Sequence, residues 1–129
     1  MTTDEATTQK PTVSGEPIEG YIYAIGRRKV ATAQVRLYSA KKSEVVVNDR
    51  VFQEYFPTDE LQKIVMDPFT KADLDAKFKV TVKVHGGGVH AQAEAVRHGI
   101  SRALVEWQEA LRSPLKKHGF LKRDPRKKE

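Results

Sequence analysis

The sequence predicts a small mixed α/β domain of four strands and three helices. Three observations carry that reading. Apolar and polar residues alternate with period two in separate short segments, as half-buried strands require. Stripes of helical period follow Pro57 and Gly88. Glycine, proline and Asn-Asp breakers separate these segments. The 129 residues are one domain's worth of chain. With 39% apolar and 31% charged residues, a small core under a large polar surface is expected.

Residues 1–20 carry almost no large apolar group, so they cannot bury enough surface to offset ordering and are expected to be a disordered acidic leader. The domain is expected over 21–119. Its first strand is the β-branched and aromatic run Tyr21-Ile22-Tyr23-Ala24-Ile25, stopped by Gly26. A second strand follows Arg27-Arg28-Lys29: Ala31, Ala33, Val35 and Leu37 alternate with Thr32, Gln34 and Arg36. Val45-Val46-Val47 is a third, leaving through an Asn48-Asp49 turn. A helix then opens at Pro57-Thr58-Asp59-Glu60, with Thr58 as cap and two acids in the first turn; Leu61, Ile64 and Val65 are its apolar stripe, and Pro68 is expected to end it. The fourth strand alternates Phe78, Val80, Val82 and Val84 with Lys79, Thr81, Lys83 and His85. Its cationic face suits RNA and solubility equally.

Gly86-Gly87-Gly88 breaks that strand and starts the longest helix. Val96, Ile100, Ala103, Leu104, Trp107 and Leu111 form its core stripe, which makes Trp107 a core anchor. Ala91, Ala95 and Gly99 leave one side nearly bare, to press on RNA or, by slight preference, on the sheet. Ser113-Pro114 restarts a short helix, serine as cap, and Gly119 closes it. Residues 120–129 show no periodicity and are expected to begin an extended basic C-terminal tail.

Charge narrows the partner. Residues 1–20 set Lys10 against Asp4, Glu5, Glu16 and Glu19, a net −3, so the rest of the chain carries +9 of the formal +6. From Arg112 onward, Arg112, Lys116, Lys117, Lys122, Arg123, Arg126, Lys127 and Lys128 meet only Asp124 and Glu129. A basic body with a basic tail suits a polyanion, with plain solvated charge as the alternative. The absence of cysteine excludes disulfides and thiolate metal sites. No apolar run approaches a membrane helix, and Met1-Thr2-Thr3-Asp4-Glu5 does not resemble a secretory signal, so a cytosolic location without membrane contact is expected.

The glycine triplet is the most informative local feature. A strand–glycine–helix junction presents free N–H groups and a positive helix end, and glycines Gly86, Gly87 and Gly88 let a phosphate backbone approach the main chain. Gln92, in the first helical turn, is a donor for phosphate or ribose; Arg97 and Arg102 are phosphate candidates further along. Arg27, Arg28 and Lys29 are adjacent on an extended segment, so they cannot all be buried. Lys83 and His85 lead into the triplet. His85, His90, His98 and His118 lack carboxylates or cysteines at metal-ligand spacing, so no metal is expected, and no cofactor. With Trp107 in the core no aromatic platform for bases is expected, and affinity should rest on phosphates. No nucleophile elbow or Gly-Lys-Ser/Thr loop indicates catalysis.

Residues 86–104, from Gly86-Gly87-Gly88-Val89-His90-Ala91-Gln92 to Arg102-Ala103-Leu104, resemble the signature of the universal small-subunit ribosomal protein nine family, bacterial type. Three further segments resemble the same family: Gly26-Arg27-Arg28-Lys29-Val30-Ala31-Thr32-Ala33, Asn48 to Tyr55-Phe56-Pro57, and Leu115 to Leu121. The resemblance runs in order over residues 21 to 129. It implies an α/β sandwich, helices on one face of a four-stranded sheet, with a left-handed βαβ crossover where about 98% of such crossovers are right-handed. It implies a structural, non-enzymatic constituent of the small ribosomal subunit, bound to the 3′ major (head) domain of its ribosomal RNA beside neighbouring head proteins. In the family a basic tail continues to a terminal Ser-Lys-Arg at the peptidyl-site tRNA, so that contact is expected if the tail here continues beyond Glu129. Lys116, Lys117, Lys122, Arg123, Arg126, Lys127 and Lys128 are then the tail-side RNA contacts. Two other families share the crossover. A small phosphate-loop kinase needs a second domain and a metal-binding carboxylate near the triplet. The protein subunit of a tRNA-processing ribonuclease carries Arg-Asn-Arg on its long helix, where this chain has Val96-Arg97-His98-Gly99.

Overall fold

The computed structural model describes residues 18–72 and 77–121. Strands β1 (Ile22–Arg28), β2 (Ala31–Ser39), β3 (Glu44–Val47), β4 (Arg50–Val51) and β5 (Phe78–His85) form one sheet in the order β1-β2-β5-β3-β4. Around it lie helices α1 (Phe52–Tyr55), α2 (Asp59–Ala72), α3 (Val89–Trp107) and α4 (Arg112–Lys117), with a 3₁₀ turn at Glu109–Leu111. β3 and β5 pair in parallel, bridged by α1 and α2, which is the βαβ crossover; the other pairings are antiparallel.

The sheet has five strands rather than the four expected. Asn48 and Asp49 have φ of 50° and 70°, the left-handed pair of a two-residue hairpin whose twist matches its strands. The chain therefore turns back beside β3, Val47 opposite Arg50. Two residues carry no alternation to read, so β4 was invisible as a strand.

Alternation along each strand sends Ala24, Ala33, Val35, Leu37, Val80, Val82 and Val84 to one buried face. Helix α3 lies across that face on β1, β2 and β5, and α2 packs against α3. The approach of α3 to β1 is unusually close. A Cβ at Gly26 would fall on the Ala95 carbonyl oxygen and the Gly99 amide, and one at Gly99 would lie 2.6 Å from Val35 Cγ2. Ala95 and Gly99 therefore press on the sheet, which decides the question left open by the small-residue stripe. Trp107 meets Phe78 edge-on at 5.0 Å between centroids, as a core anchor does.

Thr58 caps α2 as expected, its Oγ1 accepting from Leu61 N–H at 3.2 Å. The helix does not stop at Pro68 but continues to Ala72. Proline removes one helical hydrogen bond, and burial of Pro68 and Ala72 with Phe69 packed on the core offsets that loss. Leu111 belongs to the 3₁₀ turn, not to α3, and stays buried. Ser113 is not the cap of α4, which begins one residue earlier without a side-chain cap bond. Its end is as expected: Gly119 takes φ 80°, with Gly119 N–H donating to Lys116 O at 2.9 Å and Phe120 N–H to Leu115 O at 3.1 Å. This is a Schellman motif, and its usual apolar contact draws Phe120, expected to begin the tail, into the core. At the other end Ile18, expected in the leader, packs on the core and donates its N–H to Ser39 Oγ at 2.6 Å.

Candidate nucleic-acid interface

Strand register gathers three sequence-distant turns at one end of the sheet. Arg27 pairs with Thr32 on β2, and Thr32 with His85 on β5, so these three form one row. Lys29, at φ 56°, sits in the β1–β2 turn. That turn abuts the glycine junction: a Cβ on Gly86 would lie 2.5 Å from the Val30 carbonyl oxygen. The 48–49 turn is tied to the same end. Asn48 N–H donates to Val82 O at 2.8 Å; its side-chain amide donates to Val84 O at 3.0 Å and accepts from Val84 N–H at 2.9 Å. Asn48 thus extends the β3–β5 ladder by one side chain.

The three glycines differ in kind. Gly86 and Gly87 have φ of 83° and 67°, a conformation that side-chain-bearing residues rarely adopt, so the turn itself needs them. Gly88 is the N-cap of α3 with φ −88° and ψ 172°, and nothing lies within 4 Å of where its Cβ would be. The fold does not require a glycine there. All three are exposed, and the first-turn N–H groups of α3 have no helical acceptor.

The expected contact residues divide by what they already touch. Arg27, Lys29, Lys83 and His85 are exposed, Lys83 one row from His85 on the face that the helices leave uncovered. Arg28 is committed inward: its Nε donates to Glu94 Oε1 at 2.5 Å, joining β1 to α3. The Arg27 backbone N–H donates to Nδ1 of buried His98 at 3.1 Å, so that ring nitrogen carries no proton. Gln92 braces the junction, accepting from Tyr55 OH at 2.7 Å and donating to Gly86 O at 3.1 Å. Arg97 lies 4.7 Å over the Phe120 ring and 3.9 Å from Asp67, holding the end of the domain in place. Arg102 donates to the Ile25 carbonyl at 2.7 Å. Lys116 and Lys117 are exposed in the last turn of α4. Lys122, Arg123, Arg126, Lys127 and Lys128 lie outside the described residues. The hydrogen bond from Arg112 to Glu109, and then the Glu109 charge, raise the guanidinium pKa; this is an exposed surface pair.

Other exposed residues were not expected, several of them on the open face of the sheet away from this end. Arg50 and Lys79 are exposed cations. Tyr21 and Tyr23, 50% and 42% exposed, share the open face with Arg36 and Tyr38. The Arg36 guanidinium lies 5.4 Å from the Tyr21 centroid and 5.6 Å from that of Tyr23. Aromatic side chains therefore do stand on the surface, contrary to the expectation of none. Their signal was the period-two spacing of Tyr21 and Tyr23, hidden because Tyr21-Ile22-Tyr23-Ala24-Ile25 also reads as an unbroken apolar run.

Among the described residues no three or more His, Asp or Glu are placed to hold a metal ion, and no helix is long and apolar enough to cross a membrane. A sequence profile described as ribosomal protein S9/S16 matches residues 26–129. The small ribosomal subunit protein uS9 of Desulfovibrio desulfuricans is 55% identical to this chain over 111 residues, 86% of this chain and 85% of the relative.

Proposed function

The chain belongs to the ribosomal protein S9/S16 family, with a structural role in the small ribosomal subunit, and from that premise we propose that it binds the 3′ major (head) domain of the ribosomal RNA through the end of the sheet where turns 29–30, 48–49 and 86–88 meet. The observation that carries the reading is that convergence. Three loops far apart in sequence place exposed cations beside an exposed glycine junction that opens a helix whose first-turn N–H groups have no helical acceptor. Phosphate contacts of this kind hold an RNA in register without reading its sequence. Gln92, Asn48 and Arg28 serve the binding indirectly, by fixing the three turns relative to one another. Residues 122–129 add cations, and a tail continuing beyond Glu129 would be directed to the peptidyl-site tRNA. Neighbouring head proteins are its other partners.

Gly88 provides the test. Gly87→Val is uninformative, because φ 67° makes that variant unstable whatever the glycine touches. Gly88→Val adopts the existing backbone and enters open space, at a stability cost of about 1 kcal/mol or less for the altered cap. Affinity for isolated head-domain RNA should fall about tenfold or more while the melting temperature moves by only a few degrees. A folded variant with wild-type affinity would overturn the proposal.

A further inference from the structure

We infer that the uncovered face of the sheet is a stacking surface for unpaired RNA bases, with Tyr21 and Tyr23 as the platform. This inference rests on the RNA-binding reading above and extends it to a different surface and a different ligand chemistry.

Strand pairing lays the face out in parallel rails. On edge strand β1 stand Tyr23 and Arg27, with Tyr21 immediately before the strand; next, on β2, Tyr38, Arg36 and Thr32; next, on β5, Lys79, Thr81, Lys83 and His85. The aromatic rail and the lysine rail are two strand spacings apart, about 10 Å. Helix α3 covers the opposite face of these three strands, and the two tyrosines present about half their surface outward. They are not loose. Arg36 sits over both rings, and the Tyr38 ring lies 5.5 Å from that of Tyr21 at 53°. The rings are thus held in place before any ligand arrives, which reduces the ordering cost of binding. Arg36 adds a planar cation on which a base can also stack.

Charge selects the occupant. Among the strand residues of this face, Arg27, Arg36, Lys79 and Lys83 meet one acid, Glu44, opposite Lys79. At the β1 edge Tyr23 also lines a cavity with Glu106 and Glu109, whose charges Arg102 and Arg112 in the same lining balance. The centre of a protein–protein interface is depleted in lysine, whereas an aromatic row beside a row of cations is how single-stranded nucleic acid is held: bases stack and phosphates follow the charge. Stacking tolerates any base, so the ligand is an unpaired stretch of ribosomal RNA without a fixed sequence.

The test compares the full chain with Tyr21→Leu/Tyr23→Leu and Tyr21→Phe/Tyr23→Phe on head-domain RNA at several salt concentrations. The leucine pair should lose about five- to a hundredfold in affinity with an unchanged slope of log affinity against log salt, because no phosphate contact is removed. The phenylalanine pair should bind within about twofold of wild type. Photo-crosslinking of wild type should give adducts at Tyr21 or Tyr23, a readout that does not depend on the variants folding. A folded leucine variant with wild-type affinity would assign the face to a protein neighbour and overturn the inference, as would adducts found only elsewhere. A short single-stranded RNA, set against a hairpin of equal length, separates the two proposals. Single-strand binding lost in the leucine pair supports the stacking face even if the head domain is not bound. Head-domain binding unaffected by the leucine pair leaves only the first proposal standing.

Discussion

Raising monovalent salt from 50 to 200 mM should weaken binding to head-domain RNA by a factor that the structure sets. The exposed cations at the sheet end and on its open face are Arg27, Lys29, Arg50, Lys79 and Lys83. Arg28 and Arg97 do not add to them, because Glu94 and Asp67 already oppose their charges. Arg102, held only by the neutral Ile25 carbonyl, keeps its charge and adds to the slope where RNA reaches it. If each of the five neutralises one phosphate at roughly 0.7–0.9 in slope, log affinity falls against log salt with a slope of about −3.5 to −4.5. A fourfold rise in salt then costs roughly a hundred- to five-hundred-fold in affinity, and cations of residues 122–129 add to this floor. Fluorescence anisotropy with labelled RNA at four or five salt concentrations measures the slope. Two variants make the test specific. Lys83→Gln should lower the slope by about 0.7–0.9 and leave the melting temperature alone. Arg28→Gln should leave the slope alone and lower the melting temperature, because it strands Glu94, whose side chain is 16% exposed, without its 2.5 Å partner. A flat salt response, or equal slope changes from the two variants, would refute the reasoning.

Gly26→Ala should cost about 3 kcal/mol or more, since its Cβ would meet α3 backbone rather than a side chain that can move. That corresponds to a loss of about 12–24 °C for a domain of this size, and a loss under about 4 °C in calorimetry would count against the close packing described. Asn48→Ala should cost about 2–4 kcal/mol by urea denaturation, because both polar groups of the Val84 backbone lose their partners at 2.9 and 3.0 Å; a cost under about 1 kcal/mol would show that the side chain does not hold the turn. Cutting after Leu121 should leave the melting temperature unchanged while weakening RNA affinity. Cutting after Gly119 should lower stability by about 2–4 kcal/mol, because buried Phe120 goes with it; equal melting temperatures for the two truncations would contradict the role given to that ring.

What the sequence alone determined was whatever depends on near neighbours. Val80, Val82 and Val84 alternate with Lys79, Thr81 and Lys83, so the strand and its inward face were legible; Thr58 and Gly119 bracket helices through contacts reaching three to five residues. The glycine triplet was legible as a junction, and composition as a reason for a polyanionic partner. Only the tertiary structure decided what those pieces meet. Helix α2 passes Pro68 because core burial outweighs one lost hydrogen bond, and the Asn48-Asp49 turn returns as a fifth strand because β3 offers it a partner. The cations Arg27, Arg28 and Lys29 look alike in the sequence, yet Arg28 is bound to Glu94, 66 residues away, while its neighbours remain exposed. Gly86 and Gly87 serve the backbone and Gly88 does not, a distinction that lies in φ rather than in composition. Tyr21 and Tyr23 become a surface only when Arg36 of the adjacent strand is brought over them. Periodicity is written into each segment by its own covalent geometry, whereas register, close approach and charge pairing arise between segments that meet only when the core forms.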